Sequence, residues 1–209
     1  MKNIILISVS VLFFSISLIG QSKYNAGMEK AFSLISEHKF SEAVAMFERI
    51  AQVEKDNWIP AFHAAHTLIW TSFAVDDKDT RESMLEQAKE SIKMARLRSA
   101  DNADIYSLEA MLYTSYMAFD PATYGMMYAG KIETLHNTAY DLDPNNPRVI
   151  SGKIQYAHGK ASFFGQDLRP FCEEMKKIIP KFNSEKVTIP FAPNHGLIEA
   201  KAFIQNCNE

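Results

Sequence analysis

The sequence has few residues that break helices and few patterns typical of strands. It contains 8 glycines and 8 prolines in 209 residues, and most of them stand between apolar segments of helical periodicity. The best strand candidate is residues 186–191, KVTIPF, which Pro190 restricts to an extended loop. This scarcity argues against a sheet-based fold and favours long helices joined by short turns.

The chain also lacks the motifs that carry common chemistry. There is no G-x-S-x-G, no P-loop and no dinucleotide-binding fingerprint. The formal net charge is −3, and no basic patch is evident, so no nucleic-acid partner is expected. We therefore predict a protein that is not an enzyme and has no cofactor. A hydrolase with an unrecognised site ranks last among the alternatives.

The first twenty residues differ from the rest. Lys2 precedes an uncharged apolar run from Ile4 to Ile19, which is typical of a secretory signal peptide. A membrane-spanning helix is the alternative, but the run is short and small and polar residues follow it. We predict a signal peptide over residues 1–20, cleavage near Gly20, and one mature domain over 21–209. The expected location is periplasmic or secreted, with no membrane span after cleavage.

Turn signals recur at nearly constant intervals. Asn57, Asn102 and Asn146 follow one another at 45 and 44 residues, and each precedes an apolar periodic segment. A looser fourth signal is Asn194. The aromatic residues that end these segments keep the same phase, at Phe73, Phe119 and Phe164. Two markers with one period predict an internal repeat of helix pairs.

The first unit resembles a tetratricopeptide repeat. Ala31, Leu34, Phe40, Ala43 and Phe47 fall where that family places its small and large packing residues. The later period of about 45 residues exceeds the family's ~34. The resemblance implies an all-α solenoid of antiparallel helix pairs with a concave face, and we expect about eight or nine helices.

The C-terminal quarter is similar to small exported tetratricopeptide-like proteins of Bacteroidota, a family without a known activity. The similarity rests on a Phe–Phe–Gly turn, a Pro-rich segment, a P-N-x-G helix start and a terminal cysteine, which are here Phe163–Gly165, Pro190, Pro193–Gly196 and Cys207. It implies fold and export, and it names no ligand.

The two cysteines, Cys172 and Cys207, both lie in this C-terminal quarter. In an oxidising compartment a disulfide between them is plausible, although two free thiols remain the alternative because sequence does not give their separation. Acidic residues follow Cys172 and no histidine stands near it in sequence, which disfavours a reactive thiolate.

Several side chains are candidates for a binding site. His63 and His66 share a helix face and are weak candidates for metal ligands, although one or both could instead line the groove or make polar contacts. Trp58, Phe62, Trp70 and Phe73 are either groove residues or, more commonly for such spacing, core. The better groove candidates are tyrosines, which have a broad apolar face and a polar tip, and methionine, which adapts to varied partners. They are Tyr113, Tyr116, Tyr124, Tyr128 and Met127, beside Met126.

We predict a non-catalytic exported scaffold that binds a protein or peptide partner in a concave groove. The alternative is a periplasmic protein that binds a small molecule or metal through His63, His66 and the aromatic residues. A wide open groove would favour the first function, and a closed pocket would favour the second.

Overall fold

The computed structural model describes residues 22–207, and that range is helical without a β-strand. Helix α1 covers residues 22–36. The others are α2 Phe40–Val53, α3 Ile59–Ser72, α4 Lys78–Arg98, α5 Ala103–Phe119, α6 Pro121–Leu142, α7 Pro147–Phe163, α8 Arg169–Ser184 and α9 Leu197–Asn206. These nine helices of the described range confirm the predicted all-α fold. The predicted signal peptide lies outside the described residues and stays a prediction.

Side-chain caps fix where the helices start. The Asn102 side chain accepts hydrogen bonds from the backbone N–H groups of Asp104 and Ile105, and Asn146 accepts one from Arg148. Asn57 accepts from the N–H of Ile59 at 3.0 Å. Helices α3, α5 and α7 therefore begin at 44-residue intervals, at Ile59, Ala103 and Pro147. The predicted period is present in the structure.

The repeat breaks at the C-terminus. Asn194 does not cap α9, which begins three residues later with Gly196, at a φ of 103°, as its N-cap. Instead of extending the stack, α9 packs back on α8. Its Ala200 joins a small core with Ile154, Met175, Ile178 and Phe182.

Helix pairs stack so that every second helix forms an inner layer. Helices α3–α4, α5–α6 and α7–α8 pair, while α3 contacts α5 and α5 contacts α7. The inner helices run in the same direction. Phe73 and Phe119, at the C-terminal ends of α3 and α5, are in ring contact. Asp104 and Arg148, in the first turns of α5 and α7, form an ion pair.

A continuous apolar core joins these units. It contains small residues that let helices approach, such as Ala65, Ala88 and Ala110, and larger ones that fill the gaps, such as Leu85 and Leu112. Among residues 22–207, no helix has the length and apolarity needed to cross a bilayer.

Candidate functional site

Residues 185–196, which join α8 to α9, cross the inner layer and are called the strap. At one end, both Glu185 carboxylate oxygens accept from Arg148 Nη1 of α7, at 2.6 and 2.7 Å. Further along, the Phe191 carbonyl accepts from His63 Nε2 of α3 at 2.8 Å. The Phe191 ring contacts Tyr24 and Phe32 of α1. The strap therefore runs from α7 across to α3 and α1, and it covers part of the face that sequence reasoning expected to be open.

Backbone strain marks two points of the strap. Phe191 has a φ of 61°, which costs energy for any residue with a Cβ. Its carbonyl and ring contacts hold this conformation. Gly196 has a φ of 103°, and a Cβ there would lie 3.0 Å from Phe182 Cε1. Glycine is required at this turn, which places the adjacent His195 over the inner helices.

Under the end of the strap lies a cavity of about 460 Å³. This volume is in the range of small-molecule sites. Its α3 wall is aromatic, with Phe62, His66, Trp70 and Phe73. The wall from α7 and α6 is mostly polar, with Arg148, Ser151, Gly152, Gln155, Tyr156 and His136. Helix α5 supplies the floor, including Leu108 and Met111, and His195, Gly196 and Glu199 form the roof.

Two imidazoles meet at the roofed end. The rings of His66 and His195 are 4.1 Å apart between centroids, and Phe62 stacks on His66. Burial lowers the pKa of His66 to about 4. Burial, and secondarily the nearby His66 and Arg148 side chains, hold the pKa of His195 well below its ordinary value. Both rings are therefore neutral at physiological pH, which is the form that ligates metals.

His63 has a different role from His66. Because a carbonyl only accepts, the His63 Nε2 must carry the proton that it donates to Phe191. Its ring is buried among Phe32, Phe47 and Phe62, and burial lowers its pKa to about 4. His63 thus holds the strap, and the structure pairs His66 with His195. Within residues 22–207, no group of three or more histidine, cysteine or acidic side chains is arranged to hold a metal ion.

Arg148 joins three elements at the roofed end. Its Nε donates to Asp104 Oδ1 at 2.8 Å, and its Nη1 donates to Glu185. Asn146 Nδ2 also donates to Asp104 Oδ1, at 3.1 Å. Burial alone would lower the pKa of Arg148, but the hydrogen bonds and charges of Asp104 and Glu185 outweigh it and raise the pKa. The guanidinium is therefore already neutralised by the protein.

His136 is buried in the polar wall and has an orphaned atom. Its Nδ1 has no hydrogen-bond partner among the described residues, although the side chain is only 4% exposed. The ring lies 5.5 Å from that of Tyr156. Burial, followed by the charge of Lys153, lowers the pKa of His136 to about 4.

The tyrosines predicted to line a groove lie elsewhere. Tyr113, Tyr116, Tyr124 and Tyr128 contact one another where α5 packs on α6. The hydroxyls of Tyr116 and Tyr124 donate to Glu86 and Glu82 of α4. Met127 and Met126 are exposed. None of these residues lines the cavity under the strap, and interhelical packing accounts for the four rings.

A second, shallower depression of about 990 Å³ lies between α2, α3 and α4. Its apolar lining includes Phe40, Val44 and Met84. Trp70 and Phe73 line both this depression and the cavity, and they are 53% and 50% exposed. The two aromatic side chains therefore form the rim between the two concavities.

Cys172 of α8 and Cys207, just after α9, form a disulfide with a Cα–Cα distance of 6.1 Å. It fastens the end of α9 to α8, so the helix that follows the strap is anchored covalently. Asp77, in the turn between α3 and α4, is a helix N-cap whose side chain accepts from the N–H of Thr80.

Sequence reasoning missed three residues of this site: His136, Arg148 and His195. Only His195 was within a noted motif, the P-N-x-G helix start, where it had no assigned role. Arg148 stands directly after the Asn146–Pro147 helix start, and no pattern in the sequence distinguishes it from a solvated cation.

Comparisons with known proteins give one informative likeness. No family model matches the chain, and the tetratricopeptide resemblance is therefore not confirmed. No curated protein matches by sequence either. Among solved structures, the chain is similar to the HusA haemophore from Porphyromonas gingivalis, with a TM-score of 0.74 and 21% identity. The likeness covers 87% of this chain and 90% of the haemophore, and at this identity it establishes a shared helical fold.

Proposed function

We propose that this chain is an exported, non-catalytic binding protein that carries haem, or a closely related tetrapyrrole, in the cavity under the strap. The observation that carries the proposal is the pair of neutral imidazoles, His66 and His195, at the end of an aromatic wall. The fold shared with a haemophore supports it. Haem is cargo here, and the protein needs no chemistry beyond binding and release.

The cavity suits a flat, mostly apolar ligand. Phe62, Trp70 and Phe73 supply aromatic surface along one wall, and such rings favour stacking on an extended π-system. A cluster of only two histidines is a poor site for a bare metal ion, which needs more protein ligands. Haem iron takes four ligands from its own macrocycle, so one or two imidazoles are sufficient.

The contact between His66 and His195 limits how haem binds. Stacked carbon surfaces need about 3.5 Å on each side of a flat molecule, whereas the two ring centroids are 4.1 Å apart. A macrocycle does not fit between them unless the strap moves. We therefore place the cargo along the aromatic wall, with one imidazole as its axial ligand.

Haemin titration of the mature chain tests this proposal. We expect a shifted Soret band, one haem per chain, and quenching of tryptophan fluorescence because Trp70 lines the cavity. His66→Ala and His195→Ala should each weaken binding or alter the iron spectrum. His158→Ala is the matched control, since His158 is an α7 histidine that packs on Phe171 and Phe203 outside the cavity.

An unaltered Soret spectrum at micromolar haemin would contradict the proposal. So would binding that is insensitive to both cavity histidines while the proteins remain folded. The second result would direct attention to the open depression beside α2.

The half-exposed Trp70 and Phe73 favour a second candidate, binding of a protein or peptide partner in that depression. The large area of apolar lining suits such a partner. A pull-down from the native envelope tests it. Loss of a captured partner in Trp70→Ala, with haemin binding absent from the unaltered chain, would favour this candidate over haem.

A further inference from the structure

The interior of α7 contains a glycine that helix stability does not favour. Gly152 lies in the second turn of α7, where helix propensity alone would favour alanine. A Cβ on Gly152 would lie 3.2 Å from Ser107 Oγ, 3.4 Å from His136 Cε1 and 3.9 Å from His136 Nδ1. The missing Cβ therefore leaves space beside Ser107 and along the Cε1 edge of the His136 ring. The Nδ1 itself is buried, so a ligand reaches it from this space only when the ring or Ser107 shifts.

Other glycines of α7 and of the neighbouring α6 show that this space is specific to Gly152. Gly159 is also within α7, and a Cβ there would meet nothing within 4 Å. Gly125 and Gly130 of α6 are equally open. Gly152 is the helical glycine whose added Cβ would approach two polar side chains of the cavity, Ser107 and His136.

Buried nitrogen atoms without a partner are rare in folded proteins, because each one costs the free energy of its lost hydration. His136 Nδ1 is such an atom, and both His136 and Gly152 line the cavity. We propose that His136 Nδ1, reached over Gly152, donates a hydrogen bond to a carboxylate of the cargo. This inference rests on the proposed function and adds the group by which the cargo is recognised.

The charge nearest His136 favours a carboxylate over a cationic or neutral group, while Glu199 of the roof is the acid of this cavity that a bound carboxylate must stay away from. The charged side chain that acts on His136 is the Lys153 ammonium. Asp104, an acid of the same cavity, is engaged by Arg148 and Asn146. Arg148 is held by two acids of the protein, so it is a poor competitor for the ligand. Ser107 supplies a second donor on the same side.

Metal-free protoporphyrin IX and its dimethyl ester provide the test, because neither has iron and only the first has free carboxylates. The unaltered chain should bind the diacid about ten- to hundred-fold more tightly than the ester, the range of a hydrogen bond to a charged group. His136→Phe and Gly152→Ala should each lower the ratio of diacid affinity to ester affinity toward one, and this ratio is the quantity compared. Gly159→Ala is the matched control and should keep the preference.

Folding does not confuse this comparison. Alanine has a higher helix propensity than glycine, so Gly159→Ala should melt at or above the temperature of the unaltered chain. The methyl group of Gly152→Ala would lie 3.2 Å from Ser107 Oγ, so its Tm is measured and its affinity ratio is determined on the folded protein. Equal affinity of the unaltered chain for diacid and ester would overturn the inference. A parallel loss of both ligands in His136→Phe, or a preserved preference in Gly152→Ala, would overturn it as well. If the unaltered chain binds neither porphyrin, the proposed function fails together with the inference, which is a separate and recognisable result.

Discussion

Replacing Arg148 by methionine removes the charge that joins α5, α7 and the strap while keeping much of the side-chain volume. The Arg148 side chain is 9% exposed, and its partners Asp104 and Glu185 are 15% and 22% exposed. Removing one member of a well-buried ion pair costs about 3–5 kcal/mol, because the remaining charge is stranded. Here Asp104 keeps its bond from Asn146, and Glu185 begins the strap and can turn to water.

We therefore expect the free energy of unfolding to fall by about 2–4 kcal/mol, below the full cost of a stranded charge. For a chain of this size that corresponds to a decrease in Tm of roughly 5–12 °C. Thermal and urea unfolding followed by circular dichroism measure the loss. Hydrogen exchange should also show faster exchange in the strap, residues 185–196, than in the α3–α4 pair.

Arg169→Met is the matched control. Arg169 pairs with Asp167 in the same bidentate style, but its side chain is 89% exposed. Such a pair is screened by water, so the control should leave Tm and exchange unchanged. If Arg148→Met unfolds at the temperature of this control, the ion pair does not hold the strap and the reasoning is refuted.

Three other perturbations test the site and its frame. Acidification from pH 7 to pH 5 should lower stability by roughly 1–2 kcal/mol for each of His63 and His136. Burial lowers both pKa values to about 4, so the unfolded chain takes up protons near pH 6.5 and the folded chain does not. A Tm that does not change between pH 7 and pH 5 would contradict buried, neutral rings at these two positions. Gly196→Ala should lower the free energy of unfolding by about 1–3 kcal/mol, since it places a Cβ at a left-handed φ against Phe182. It should also weaken haemin binding by displacing His195. A haemin affinity equal to that of Gly159→Ala would refute this. Replacing both Cys172 and Cys207 by serine should lower the free energy of unfolding by up to about 3–4 kcal/mol, from the loop entropy of their separation of 35 residues. Amide hydrogen exchange should rise most in α9. An equal rise along the whole chain would argue against a local anchor.

The helical fold was predictable because its signals are local. The side chains of Asn57, Asn102 and Asn146 accept hydrogen bonds from backbone N–H groups at the helix starts, and each capping hydrogen bond spans only two or three residues. The period follows from these caps. The helix-pair architecture then follows because amphipathic hairpins must bury their apolar faces against neighbours.

The site was not predictable in the same way because its contacts are distant in sequence. His66 and His195 are 129 positions apart, and they meet only because α9 turns back instead of adding another repeat. The sequence does contain Gly196, but a glycine before an apolar segment indicates a helix boundary and says nothing about where the preceding residue points. The aromatic residues of α3 were ambiguous for a related reason. Phe62 serves both the core and the cavity, so helical spacing alone does not separate these roles.

The strap changes the shape of the surface that the inner layer presents. A bare inner layer of α3, α5 and α7 would be an open surface, suited to an extended partner. The strap covers its N-terminal end and leaves a cavity of small-molecule size. It contributes no helix, and hydrogen bonds with side chains join it to the stack at Glu185 and Phe191. Its opening should therefore require less free energy than unfolding the stack. Because the disulfide fixes the far end of α9, we expect that opening to be a movement about the anchored α8–α9 pair, and entry of the proposed cargo to depend on the Arg148 and His63 contacts rather than on the helix pairs themselves.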